Sequence, residues 1–181
     1  MRGGDPPPEA LLNAALHLLA PRRRGVEELR GRLRKKGFQA QEVADCLVWL
    51  EERELLNDEA FAQALTRDRL RFSPRSPSAL RRELALKGIA PSVAGSAVEL
   101  VMEEERVTDR DLAVRAAGDW VRKQGPFVLK HLLEDRFTPE RERARRRLHG
   151  FLGRRGFGGE AARAGMEAGI FEAGKSLLIK D

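Results

Sequence analysis

Glu28 to Phe38 reads ELRGRLRKKGF, and the same phrase returns as ALRRELALKGI from Ala79 to Ile89 and as RLHGFLGRRGF from Arg147 to Phe157. Each copy runs leucine, three residues, leucine, three residues, glycine, large apolar residue. The leucine pairs are Leu29 and Leu33, Leu80 and Leu84, and Leu148 and Leu152, closed by Gly37-Phe38, Gly88-Ile89 and Gly156-Phe157. Residues four apart share one face of a helix, so each pair makes an apolar stripe. A glycine just past the stripe suits the left-handed conformation that ends a helix. The phrase predicts a short helix with a fixed stop, three times over.

Outward from the glycines, apolar positions recur ten residues on at Leu47, Val98 and Met166, preceded by the small residues Cys46, Ala97 and Gly165. A second helix per unit follows, and the small residues predict a tight helix crossing there, with Cys46 in the core. The first two units gain a third helix, opened by NDEAFA from Asn57 and TDRDLA from Thr108. Asn57 and Thr108 are good N-caps, and the acids beside them suit the positive end of the helix dipole. Gly37 to Gly88 and Asn57 to Thr108 are both 51 residues, so one displacement superposes all three helices. Repetition on that scale is the signature of a helical array. The fold expected is all-α, with tandem three-helix repeats forming an elongated stack open to curvature.

The expected organisation is a capping helix and linker over 1–24, a first repeat over 25–75 and a second over 76–123. An insertion helix and linker over 124–140 then precede a truncated third repeat and tail over 141–181. The capping helix runs Pro8 to Leu19, the insertion helix Phe127 to Phe137, and the chain after Met166 ends in a tail, FEAGKSLLIKD. Loops are expected at Ala20 to Gly25 and at Ser73-Pro74-Arg75-Ser76-Pro77, where two prolines forbid a continuous helix.

Composition narrows the class. Hydrophobic residues at 41% and charged residues at 34% describe a chain that folds with heavily charged helix surfaces. One cysteine excludes an internal disulfide and a multi-cysteine zinc site. No apolar run is long enough to span a bilayer, and the start, MRGGDPPPEA, has no signal-peptide core, so a cytoplasmic protein off the membrane is expected. The three histidines, His17, His131 and His149, lie on separate predicted helices and read as incidental. The glycines form no phosphate cradle, and the paired acids such as Glu51-Glu52 and Glu103-Glu104 read as solvated faces. No enzyme, metal or cofactor is expected.

Charge is patterned. Net charge is +6, with basic residues crowded into Arg22 to Lys36 and Arg141 to Arg155, whereas Val98 to Asp111 is mainly acidic. Arg30, Arg81 and His149 are repeat-equivalent, as are Lys36, Lys87 and Arg155. The second set precedes the stop glycine, where a cation also offsets the helix dipole. The dipole needs one charge, however, and the first unit supplies Arg30, Arg32, Arg34, Lys35 and Lys36. Such an excess costs self-repulsion and points to a polyanion, contacted through its phosphate backbone rather than read by base. With Arg81, Lys87, Arg145, Arg146, Arg154 and Arg155, these residues are the contact candidates. Phe38, Phe61, Phe151 and Phe157 fall on core positions, so base-stacking platforms find little support.

The basic helix ending in Lys36-Gly37-Phe38, the phrase Leu56-Asn57-Asp58-Glu59-Ala60-Phe61-Ala62, the stretch Leu84 to Ile89 and the Arg154-Arg155-Gly156-Phe157 end, in that order and spacing, resemble the RecX family of bacterial recombinase regulators. The resemblance spans about Ala15 to Met166. It implies a tandem three-helix-repeat protein that lodges along the groove of the RecA filament on DNA, blocks strand exchange and ATP turnover, and restrains recombination and the SOS response; a monomer with a part in DNA repair is the expectation. It carries no catalytic motif. Two other classes fit the residues: a helix-turn-helix DNA-binding protein, and a helical scaffold for protein partners alone.

Overall fold

The computed structural model describes residues 5–22 and 24–178. Among them the chain forms helices and no strand: α1 (Glu9–Leu19), α2 (Val26–Lys35), α3 (Ala40–Glu52), α4 (Asp58–Phe72), α5 (Pro77–Leu86), α6 (Pro91–Glu104), α7 (Asp109–Arg122), α8 (Pro126–Leu133), α9 (Pro139–Arg154) and α10 (Gly159–Leu178). The all-helical tandem reading holds. Residues Met1–Gly4, Arg23 of the first basic cluster and the Ile179–Asp181 end of the tail lie outside the described residues. No helix among those described is long and apolar enough to cross a membrane.

The repeated phrase is a helix and its stop. Gly37, Gly88 and Gly156 have φ of +95°, +82° and +87°. The N–H groups of Phe38, Ile89 and Phe157 donate back to the carbonyls of Leu33, Leu84 and Leu152 at 3.4, 3.1 and 3.1 Å. The glycine N–H groups donate to Arg34, Ala85 and Gly153 at 3.0, 2.9 and 2.9 Å. This is the Schellman pattern, and it explains the spacing. The leucine four before the glycine is buried and offers the carbonyl that the next apolar residue caps. Both helix openings also appear: the Ala60 N–H donates to Asn57 Oδ1 at 2.8 Å, and Thr108 and Asp111 cap each other reciprocally.

The chain divides into two compact units, Met1–Thr66 with Arg81–Leu100 and Arg67–Leu80 with Val101–Asp181. In the first, α1, α2 and α3 bury Leu11, Ala15, Leu29, Leu33, Val43, Cys46, Leu47 and Leu50, with Phe38 packed partly buried against them. Phe61 and Ile89 are buried too. Burial pushes the Cys46 thiol above its usual pKa, so it behaves as a core residue.

In the second unit α10 packs so closely on α7 and α9 that a Cβ on Gly165 would sit 3.0 Å from the Ala113 carbonyl oxygen of α7, and one on Gly169 2.7 Å from Leu148 Cδ2 of α9. The small residue before Met166 therefore marks a tight crossing, as expected from its match to Cys46 and Ala97. Trp120 and Phe151 pack with ring centres 6.5 Å apart, Phe151 being only partly buried.

Two elements differ from the sequence reading. The insertion helix ends at Leu133 instead of Phe137: Glu134 leaves helical backbone with ψ of 131°, its carboxylate accepts from Thr138 at 2.6 Å, and Thr138 caps α9 by accepting the Arg141 N–H at 3.1 Å. The third repeat's second helix does not give way to a tail near Met166. It continues as α10 to Leu178, and Ala173 is fully buried. Pro77, placed in a loop by the sequence reading, is the first residue of α5, where its missing N–H costs nothing.

Candidate functional site

The candidate cations lie on α2, α5 and α9 or just beyond their ends, and the structure gives them different surroundings. On α2, Arg30 Nε pairs with Glu27 at 3.0 Å and Arg32 Nε with Glu28 at 2.9 Å. Glu28 is a hub, also 2.6 Å from Arg22 and 2.7 Å from Arg24. Burial alone would raise its carboxyl, but hydrogen bonds from Arg22, Arg32 and Arg24 outweigh that and hold its pKa below the usual range. Arg24 is itself buried, and its Nε donates to the Leu18 carbonyl at 2.6 Å, tying the α1–α2 linker to the helix. Arg22, Arg24, Arg30 and Arg32 are thus held within the protein by two carboxylates, Glu27 and Glu28.

The remaining described cations of the cluster are not. Arg34, Lys35 and Lys36 are exposed and have no ion-pair partner among the described residues. They occupy the last turn of α2 and its C-cap. A C-terminal helix end welcomes about one cation; three in a row exceed what the dipole compensates. Arg34 offers a fork of donors matched to a phosphate, and the two lysines act as mobile point charges.

The repeat-equivalent positions diverge. Arg81 pairs with Glu99 at 3.2 Å, while His149 is exposed on α9. Lys36 is exposed and Lys87 half-buried, whereas Arg155 is locked in place. Arg155 Nη1 donates to Ser73 Oγ at 2.9 Å and to the Pro74 carbonyl at 3.0 Å, and its guanidinium stands 4.5 Å above the Phe151 ring. Burial first, then repulsion from Arg75, pulls its pKa down against the pull of Asp119. Arg155 pins the α4–α5 loop, reinforced by the Ser76 N–H bonding to its carbonyl at 3.0 Å.

On α9, Arg145 is half-buried with a buried, unpartnered Nε, while Arg146 and Arg154 are exposed. Arg146 approaches Glu142 only to 3.7 Å, as Arg143 does Glu140.

Several features escape the sequence reading. His131 is not incidental: its Nδ1 lies 2.6 Å from Glu134 Oε1, three residues on, and its ring meets Phe127 edge-on at 4.4 Å. Thr138 donates to the same carboxylate at 2.6 Å, and that bond, with help from His131, holds the Glu134 pKa down. The four phenylalanines not assigned to the core, Phe72, Phe127, Phe137 and Phe171, are all exposed, at 79%, 71%, 79% and 66%. For Phe127 the signal was available: four and seven residues on stand His131 and Glu134, so it heads a polar stripe.

The comparisons with known proteins agree with this architecture. Residues 12–50 match the family model described as RecX, first three-helix domain, and residues 57–98 that of RecX, second three-helix domain. A regulatory protein RecX of Prosthecochloris aestuarii is 30% identical over 152 residues, covering 84% of this chain and 88% of that protein. One of Corynebacterium efficiens is 35% identical over 147 residues, where the match spans 79% of this chain and less than two thirds, 63%, of that protein. The crystal structure of RecX from Lactobacillus salivarius superposes with a TM-score of 0.68 at 20% identity, over 90% of this chain and 96% of that one, a likeness of fold.

Proposed function

Since this chain belongs to the RecX family, we propose that it is a non-enzymatic regulator that binds the RecA filament on DNA and restrains its ATP turnover, strand exchange and SOS co-protease activity. The observation that carries this reading is the unpaired cation triplet Arg34, Lys35 and Lys36 at the end of α2. Net charge of +6 draws the chain to a polyanion, and the triplet offers sequence-independent purchase on its backbone. Arg146 and Arg154, exposed on α9, add to the same character, while Arg30, Arg32, Arg81 and Arg155 are engaged within the protein and serve chiefly to shape it. Repetition of small helical units suits a partner that is itself a repeating polymer.

The test mixes the purified protein with RecA, ATP and single-stranded DNA. Progressive loss of ATPase and strand exchange as the protein approaches stoichiometry with RecA is the expected result. Undiminished turnover at stoichiometric protein would reject the reading.

A further inference from the structure

The cleft between α8 and α9 has no counterpart in the three-helix repeat and is not used by the cation triplet. It is lined by Phe127, Val128 and His131 on one side and by Glu140, Arg143, Ala144 and Arg147 on the other, with a volume of about 250 Å³. That is smaller than the roughly 300–1,000 Å³ of a pocket for a whole drug-sized ligand. It suits a single planar group. Its floor is apolar, and its rim carries two arginines against one carboxylate.

The parts are held for use. Phe127 stands 71% exposed at the start of α8, just after Pro126 fixes the first helical turn. Its ring is steadied by the near-perpendicular His131 ring, which Glu134 and Thr138 fix in turn. Arg143 and Arg147 lie one turn apart on α9, and neither is committed: Arg143 reaches Glu140 only at 3.7 Å, and Arg147 reaches Gln124 Oε1 at 3.4 Å. An exposed aromatic face flanked by loosely held guanidinium groups is the combination that grips an unpaired base and its phosphates.

We propose that this cleft takes an unpaired base of a single-stranded nucleic acid, stacked on Phe127, with the flanking phosphates on Arg143 and Arg147. The proposal deepens the filament-binding reading by giving the inserted helix a role in holding single strand. Its test omits the recombinase, so its failure is distinct from failure of that reading.

The experiment measures binding of the full chain to fluorescein-labelled oligo-dT by anisotropy across a salt series. Phe127→Ala, at an exposed position, is expected to keep helicity and to weaken oligo-dT binding by about 5-fold or more, the value of one stacked base, with the salt slope intact. Arg143→Ala and Arg147→Ala are each expected to shallow that slope by about 0.7, as loss of one phosphate contact on a single strand does. Duplex binding is expected to be unchanged in Phe127→Ala. As a second readout, Phe127→Trp adds an indole whose emission oligo-dT quenches on stacking, above the background of Trp49 and Trp120.

Three results would overturn the proposal: wild-type affinity of Phe127→Ala for oligo-dT, equal loss on duplex, or an unquenched Phe127→Trp.

Discussion

Single residues in this protein meet different partners in equivalent places. Asp58 Oδ1 accepts the Val26 N–H at 2.9 Å. The 51-residue displacement carries Asp58 to Asp109 and Val26 to Pro77, which has no N–H, and Asp109 Oδ1 is buried without a hydrogen-bond partner among the described residues. Burial raises both carboxyl pKa values, the Val26 bond partly offsetting it only at Asp58. Glu28 runs the other way. Its folded pKa is depressed, so its contribution to stability is present above the unfolded carboxylate range and is lost as pH falls through the folded value. Glu28→Gln is therefore expected to cost about 1–3 kcal/mol at pH 7, the scale of hydrogen bonds to a charged group, and less at pH 3, below the unfolded carboxylate range. Denaturant melts at the two pH values check this; equal losses at both would contradict it. The stop glycines differ in a similar way. Gly37 has open space where a Cβ would go, whereas a Cβ on Gly88 would lie 2.4 Å from Glu27 Cβ. Gly37→Ala is expected to cost about 1–2 kcal/mol from its positive φ alone. Gly88→Ala is expected to cost a further 1–3 kcal/mol, roughly, for the clash.

At the scale of the element, the leucine stripes and glycine stops were legible because each is a local device: its period and its bonds lie within one turn or two. Leu33 and Leu84 are 0% and 1% exposed, so truncating either to alanine is expected to destabilise by about 2–5 kcal/mol in thermal or urea melts. A loss below about 1 kcal/mol would contradict their place in the core. The two elements misread were set by something non-local. The end of α8 depends on Thr138 being recruited by both Glu134 and the first turn of α9. The length of α10 depends on Gly165 and Gly169 meeting α7 and α9, a packing gain that offsets the roughly 1 kcal/mol a mid-helix glycine costs. Neither partner is visible from the segment's own sequence. The same holds for the candidate site: cations can be counted in the sequence, but which of them a carboxylate or carbonyl already holds cannot. Arg34 and Arg32 look alike there, both are exposed, and only the fold separates the one without an ion-pair partner among the described residues from the one bound to Glu28.

For the molecule as a whole, tandem helix units and uneven charge are one design. The repeat supplies the scaffold three times, and mutation of its leucines and glycines should act on stability. The cations left unpaired after that scaffold is satisfied are where partner binding should act, and the two kinds of change should separate in a single set of assays. The most direct measurement replaces Arg34, Lys35 and Lys36 together by glutamate and compares this variant with the unaltered chain as an inhibitor of RecA ATPase on single-stranded DNA. Retained helicity, with only the small fall in melting temperature that acids at the negative end of the α2 dipole bring, and inhibition reduced by at least about 10-fold is the predicted result, given about 1.4 kcal/mol per tenfold in affinity. Inhibition as strong as that of the unaltered chain, at the same salt concentration, would contradict the account.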